Sequence, residues 1–244
     1  MDLIVQTILQ KMGMIGKAHR TSLTVLLTTI LTLCGKVNFM NLGRYSGRNE
    51  KTFRRQFAKS LNFPAFNRAF IEIEIPEAHP ILGAIDASFS SKSGKKTFGL
   101  DPFYNGSEGR SERGLEISLL AIVDTVTEQA YAFHAQQTYA KSQNPSLTRT
   151  DYYLLHLEQA RPYLPQRLKY LAVDSAYANA PFINGVKALQ LDVISKLRQD
   201  AHLRYLFEGE QKPRGAKRKY GEKVDFRDFS RFTWVKEVEV GINL

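Results

Sequence analysis

One cysteine, one tryptophan and five histidines are all that 244 residues offer of the side chains from which disulfides, thiolate metal sites and histidine clusters are built. With Cys34 alone, no intrachain disulfide can form, a cysteine-ligated zinc site is excluded, and a reducing compartment is expected. Long hydrophobic runs are also missing. The most apolar stretch, Leu23 to Leu33, falls short of the roughly 20 residues a bilayer requires, and threonines interrupt it. Lys11, Lys17 and Arg20 precede it as in a signal peptide, but no small-residue cleavage site follows. The stretch predicts a buried helix in a cytoplasmic protein with no membrane partner. No Gly-x-x-x-x-Gly-Lys phosphate loop is present, and Ser88, Ser90 and Ser91 lack a partnered His–Asp pattern, so a serine nucleophile is not expected. The chain has no internal repeat.

Acidic residues are scarce at one end. Residues 1–70 hold eleven Lys/Arg against two Asp/Glu, whereas residues 71–195 hold eleven against fourteen. Residues 196–223 are basic again, with nine against four, and the whole carries a formal charge of +10. A mildly acidic centre suits a cation, and basic flanks suit a polyanion such as nucleic acid.

The first 62 residues read as helical, with Gly35 placed to stop the helix that contains Leu23–Leu33. Further on, Val37–Tyr45, a tight Ser46-Gly47-Arg48 segment and the basic run Asn49–Lys59 give helix, glycine turn, basic helix. Asn49 fits an N-cap, and Phe53 and Phe57, four apart, share an inward face. Arg48, Lys51, Arg54, Arg55 and Lys59 then point to solvent or phosphate. The pattern fits a helix-turn-helix, and equally any basic amphipathic helix on a solvated face. Pro64 and Pro76 to Pro80 bracket a boundary. Ile71-Glu72-Ile73-Glu74-Ile75 alternates like a strand but can equally end a helix.

From Ile81 the pattern changes. Ile81–Phe89 reads as a strand, followed by a long loop to Arg113, and Leu115–Thr125 and Ala130–Thr138 read as an antiparallel pair turning near Thr127-Glu128. Helices are expected over Asp151–Ala160 and Pro181–Leu189, and strands over Leu168–Val173 and Val193–Leu197. Three strands, helix, strand, helix, strand predicts an α/β fold with a ribonuclease-H-like mixed sheet. Gln211–Lys219 reads as a basic arm with too little apolar content to pack, and Thr233–Val240 alternates as a strand. The expected divisions are a helical DNA-binding region at 1–70, a core at 81–200, and a basic arm with the start of a strand-rich insertion at 201–244.

Two of the apolar runs end on an aspartate: Ile81-Leu82-Gly83-Ala84-Ile85-Asp86 and Leu168-Lys169-Tyr170-Leu171-Ala172-Val173-Asp174. A carboxylate at the mouth of a buried strand is costly to desolvate and is seldom filler. In a ribonuclease-H-like sheet these two strands lie side by side, which makes Asp86 and Asp174 neighbours. Two carboxylates that close favour a shared Mg²⁺ or Mn²⁺, the arrangement of metal-assisted phosphodiester chemistry. Singly, each has a plain alternative: Asp86 can cap a turn with Ser88, and Asp174 can cap the helix begun near Asn179. His134 reads as a packed or surface histidine, and Asp101 and Asp124 as turn residues.

Gly83-Ala84-Ile85-Asp86-Ala87-Ser88-Phe89, Ser91–Leu100, Gly114-Leu115-Glu116-Ile117-Ser118 and Val173-Asp174-Ser175-Ala176-Tyr177 together resemble an IS4-like DDE insertion-sequence transposase. Tyr177, three residues past Asp174, is typical of that family's second motif. The resemblance covers nearly the whole chain. It implies metal-dependent cleavage and transfer of double-stranded DNA at transposon ends, with Asp86 and Asp174 as catalytic metal ligands and two metal ions in the complete enzyme. It also allows a homodimer that pairs two ends. The family further implies a glutamate within a tyrosine–arginine–glutamate–lysine signature. Glu208, Glu210, Glu222, Glu237 and Glu239 all lack that spacing. The expectation is therefore a C-terminally truncated transposase, inactive alone, with Lys212, Arg214, Lys217, Arg218 and Lys219 holding phosphate. A non-catalytic DNA-binding remnant or regulator is the competing reading, and an unrelated ribonuclease-H-like nuclease a third.

Overall fold

The computed structural model describes residues 2–12, 15–198 and 201–234. The chain divides into two compact units, Met1–Lys196 and Leu197–Leu244. Five helices open the first: α1 (Asp2–Lys11), α2 (Lys17–Thr32), α3 (Phe39–Ser46), α4 (Glu50–Phe57) and α5 (Phe63–Glu74). Asparagines start the last three. The side chains of Asn38, Asn49 and Asn62 accept from the backbone N–H of Asn41, Lys51 and Ala65 at 2.9, 2.9 and 3.0 Å. Gly47, at φ +68°, supplies the left-handed residue that ends α3 and turns the chain toward α4. Asn49 caps as the sequence predicts, and the alternating Ile71–Ile75 stretch is the tail of α5 and its cap rather than a strand.

Two expectations change here. Only one face of α2 is buried, through Leu23, Thr24 and Thr29, while Leu31 is 60% exposed. The α2 threonines donate back to carbonyls one turn earlier, which satisfies their hydroxyls without tertiary partners. Phe53 is buried, but Phe57 is 71% exposed. Phe57, the last residue of a two-turn helix, stands edge-on to Phe39, with ring centres 5.5 Å apart, on an apolar cavity of about 850 Å³.

The sheet follows. β1 (Ile81–Ser91) pairs antiparallel with β3 (Arg110–Asp124), and β4 (Gln129–Thr138) runs along the other edge of β3. β5 (Tyr170–Val173) lies parallel to β1, and β6 (Asp192–Ser195) parallel to β5. The order β4-β3-β1-β5-β6, with three antiparallel strands and then two parallel to the first, is a ribonuclease-H-like sheet. The helices α6 (Arg149–Ala160) and α7 (Ala180–Ala188) supply the crossovers. Ile85, Leu120, Ile122 and Leu171 of one sheet face bury against Ile71 of α5, Leu157 of α6 and Phe182 and Val186 of α7. Burial of this kind, at about 25 cal/mol per Å², is what holds helices on a sheet.

Two stretches read as loop contain strands. β2 (Asp101–Asn105) pairs with the start of β3, which begins at Arg110, five residues before the apolar run that signals it. In the second unit β7 (Arg204–Leu206) pairs antiparallel with β8 (Tyr220–Lys223), so the basic arm is the loop of a hairpin. From residue 235 onward the strand expected over Thr233–Val240 lies outside the described residues.

Candidate functional site

Parallel pairing sets Gly83 against Leu171 and Ala84 against Ala172. Asp86 is three residues beyond Gly83, and Asp174 is three beyond Leu171. Asp86 thus follows the paired part of β1 by two residues, and Asp174 directly follows β5, on the same side of two neighbouring parallel strands. They share the sheet face of Ala84 and Ala172, and both are exposed. On the opposite, buried face, a Cβ at Gly83 would meet Leu171 Cδ1 at 3.0 Å.

Each aspartate is held by its own backbone. The N–H of Ala87 donates to Asp86 Oδ1 at 2.8 Å, and that of Ala176 to Asp174 Oδ1 at 2.8 Å. Asp174 thereby caps the 3-10 turn Ser175–Tyr177, while Asn179 caps α7, so the capping role foreseen for Asp174 is real but belongs to the nearer turn. Its backbone carbonyl accepts from the Ser195 hydroxyl at 2.9 Å, which ties it to the end of β6.

Beneath the pair lies a polar network that sequence reasoning missed. Glu116 of β3, 5% exposed, accepts from Arg149 at 2.9 Å and from the Tyr153 hydroxyl at 3.0 Å. The Tyr153 ring is 5.1 Å from that of Tyr177, which also packs on Phe182 at 5.1 Å. Burial pushes both phenols well above their ordinary range. The charge of Glu116 and then of Asp86 adds to this at Tyr153, and the fields of Tyr153, Asp86, Asp174 and Glu116 add to it at Tyr177. Both aspartates therefore act on one buried hydroxyl. A signal for Glu116 was available: Leu120 and Ile122 fix the inward parity of β3, and counting back by twos reaches Ser118, Glu116 and Gly114.

The donor set fits a hard divalent cation. Each aspartate keeps its second oxygen without a hydrogen bond among the described residues. Mg²⁺ and Mn²⁺ are commonly held by one or two carboxylates, with water and substrate phosphate completing the shell. Among the described residues no group of three or more His, Cys, Asp or Glu could hold a metal ion.

The basic residues fall into two sets. Arg48 lies in the turn between α3 and α4, Lys51 and Arg55 project from α4, and Lys59 follows it, all exposed. Arg54 differs. It pairs with Glu50 at 2.6 Å and lies over the Phe39 ring at 4.9 Å. In the hairpin loop Lys212, Arg214, Lys217 and Lys219 are exposed, whereas Arg218 stacks over Phe207 at 4.8 Å and donates to the Tyr220 carbonyl at 3.1 Å.

Residues 13–239 match the family model of the DDE superfamily endonucleases. The chain belongs to that family. No curated protein matches it. Among solved structures it is similar to the piggyBac transposase synaptic complex with hairpin DNA, at 12% identity and a TM-score of 0.41 over 76% of this chain and 43% of that one. A pre-cleavage Mos1 transpososome matches at 10% identity and a TM-score of 0.25, over 68% of this chain and 57% of that one. A Mos1 mariner paired-end complex with Mn matches at 10% identity and a TM-score of 0.27, over 68% and 56%. The DDE chain described here thus spans about half the length of these solved relatives. Among its described residues no helix is long and apolar enough to cross a membrane.

Proposed function

We propose that this chain is a DDE transposase of the IS4-like group, acting on double-stranded DNA at insertion-sequence ends in the cytoplasm. The observation that supports the reading is the parallel pairing of Gly83 and Ala84 with Leu171 and Ala172, two residues before Asp86 on one strand and two before Asp174 past the end of the other. In this reading residues 1–70 form a helix-turn-helix DNA-binding region, 81–200 the catalytic core, and 201–244 a basic arm with part of a strand-rich insertion. Asp86 and Asp174 hold Mg²⁺ or Mn²⁺. When bound, the ion supplies an activated water nucleophile and relief of charge on the leaving oxygen. The chain's residues then do the positioning: the backbone of Ala87 and Ala176 aims the two carboxylates, and Arg48, Lys51, Arg55 and Lys59, with the loop lysines and Arg214, hold phosphate. Arg54 and Arg218 shape those two surfaces from positions already engaged. Two copies pairing two ends as a homodimer is compatible with this reading.

A second reading is favoured by one observation. Among the described residues no group of three or more His, Cys, Asp or Glu could hold a metal ion. On its own the chain then binds DNA ends and one cation without cutting, as a remnant or regulator of transposition does. Calorimetry and a strand-transfer assay with end-specific DNA test both. Metal uptake that Asp86→Asn abolishes, with DNA affinity retained, supports the pair; identical uptake in the mutant sinks it. Strand transfer by the isolated chain selects the first reading, and end binding without transfer selects the second.

A further inference from the structure

The helical region holds a groove that neither a metal pair nor a DNA path accounts for. The apolar cavity of about 850 Å³ opens between α2, α3 and α4. Leu23, Leu26 and Ile30 line it from α2 at i, i+3 and i+7, a stripe about 10 Å long at 1.5 Å per residue. Its lips are large apolar side chains left in solvent, from Ile30 at 37% exposure through Val37, Met40 and Phe63 to Phe57 at 71%. Exposed apolar side chains gathered around one concavity mark a surface for another protein, whereas scattered ones do not. The helix α4 has two distinct sides. Glu50, Phe53, Arg54 and Phe57, at i, i+3, i+4 and i+7, line the groove, and Lys51 and Arg55 do not. The two α4 cations open to phosphate thus lie off the side that carries the apolar lips.

Charge selects the occupant. Lys17–Lys59 holds nine Lys/Arg and a single acid, Glu50, which is paired with Arg54 at 2.6 Å. We propose that this groove receives an amphipathic helix with an acidic outer face, presented by a partner protein. The partner's apolar stripe, spaced i, i+3 or i+4 and i+7, fills the cavity as helices fill apolar grooves. Its carboxylates meet Lys59 at the rim and the positive field around it, which turns basic partners away. A second copy of this chain brings the same excess of cations and is repelled. Duplex DNA brings the right charge but offers phosphate and sugar, not apolar side chains to fill a cavity. The inference stands apart from the metal reading of Asp86 and Asp174, and neither depends on the other.

Fluorescence anisotropy of labelled helical peptides of about 15 residues, added to the full chain, is the test. The first peptide carries Leu and Phe along one stripe and glutamates elsewhere. The second replaces the glutamates with lysines, and the third keeps the glutamates but puts alanines in the stripe. Micromolar binding of the first is expected, with the other two weaker by about tenfold or more. Phe57→Ala and Met40→Glu, both at exposed positions, should each weaken the first peptide by about tenfold or more with Tm unchanged. Absence of binding by the first peptide overturns the proposal, as does an affinity within about twofold of the parent in both variants. Equal binding of the first and second peptides refutes the choice of an acidic partner. Equal binding of the first and third means that any polyanion suffices, which removes the groove from the account. Sedimentation velocity of the chain alone covers the remaining occupant: a dimer that Phe57→Ala dissolves gives the groove to a second copy and overturns the partner helix.

Discussion

The Nδ1 of His79 lies 2.8 Å from Oδ2 of Asp124, whose side chain is 2% exposed. Burial pushes the Asp124 carboxyl up, but the bond from His79 and those from the backbone and side chain of the 126–127 turn outweigh it and hold it at about 2. A folded-state value below the ordinary 3.8 contributes stability at higher pH that is lost as pH falls toward 2. Asp124→Asn should therefore melt lower at pH 7, and the gap from the parent should close between pH 4 and pH 2. Melting curves across that range check this; a constant gap contradicts it.

His156 gives a second pH dependence. It is fully buried, its Nδ1 2.9 Å from the Ser118 hydroxyl, and its ring centre 4.8 Å from that of His134. Burial first, then the neighbouring His134, lowers it to about 4. Between about 6.5 and 4 the unfolded chain takes up a proton at this residue that the folded chain refuses, so stability falls with pH across that window, by on the order of 3 kcal/mol. His156→Leu should flatten that part of the stability profile, at the expense of leaving Ser118 unpaired. Urea midpoints at pH 7, 5.5 and 4.5 measure the slope directly.

How much of this was legible depended on where the signal lived. β1 and β5 announce themselves because their inward and outward positions are both apolar, as a central strand requires. β2 hid because Asp101, Pro102 and Asn105 are turn residues around a single buried Phe103. β7 and β8 hid because neither side of their hairpin packs a core, so no period shows. The adjacency of the two strands that lead to Asp86 and Asp174 could be foreseen because strand order is set by apolar runs. The Glu116–Arg149 contact could not, since its partners are 33 residues apart and only the fold brings them together.

Gly83 should be sensitive to any side chain. A Cβ would press on Leu171 Cδ1 at 3.0 Å and approach the Tyr170 carbonyl at 3.6 Å, where β1 and β5 run closest to the two aspartates. Gly83→Val is expected to cost about 1–3 kcal/mol by overpacking. It should also weaken Mn²⁺ uptake, because it displaces β5 and with it Asp174. Leu27→Ala, in the separate helical cluster with Val5 and Leu9, should lower stability by a similar amount and leave Mn²⁺ uptake alone.

The α4 cations separate by what they already touch. Lys51 and Arg55 are exposed and meet no acidic side chain among the described residues, whereas Arg54 is committed to Glu50 and to the face of Phe39. If DNA lies along this helix, each phosphate contact contributes about −0.9 to the slope of log affinity against log salt. Lys51→Ala and Arg55→Ala should each make that slope shallower by about one unit. Arg54→Ala should change the slope less, and should lower helix stability by the few tenths of a kcal/mol typical of an exposed i,i+4 pair together with its ring contact. Fluorescence anisotropy at several salt concentrations gives all three slopes. A steeper loss for Arg54 than for Lys51 and Arg55 would show that the Glu50 pair opens to release the guanidinium to phosphate, and would move the DNA path toward Phe39.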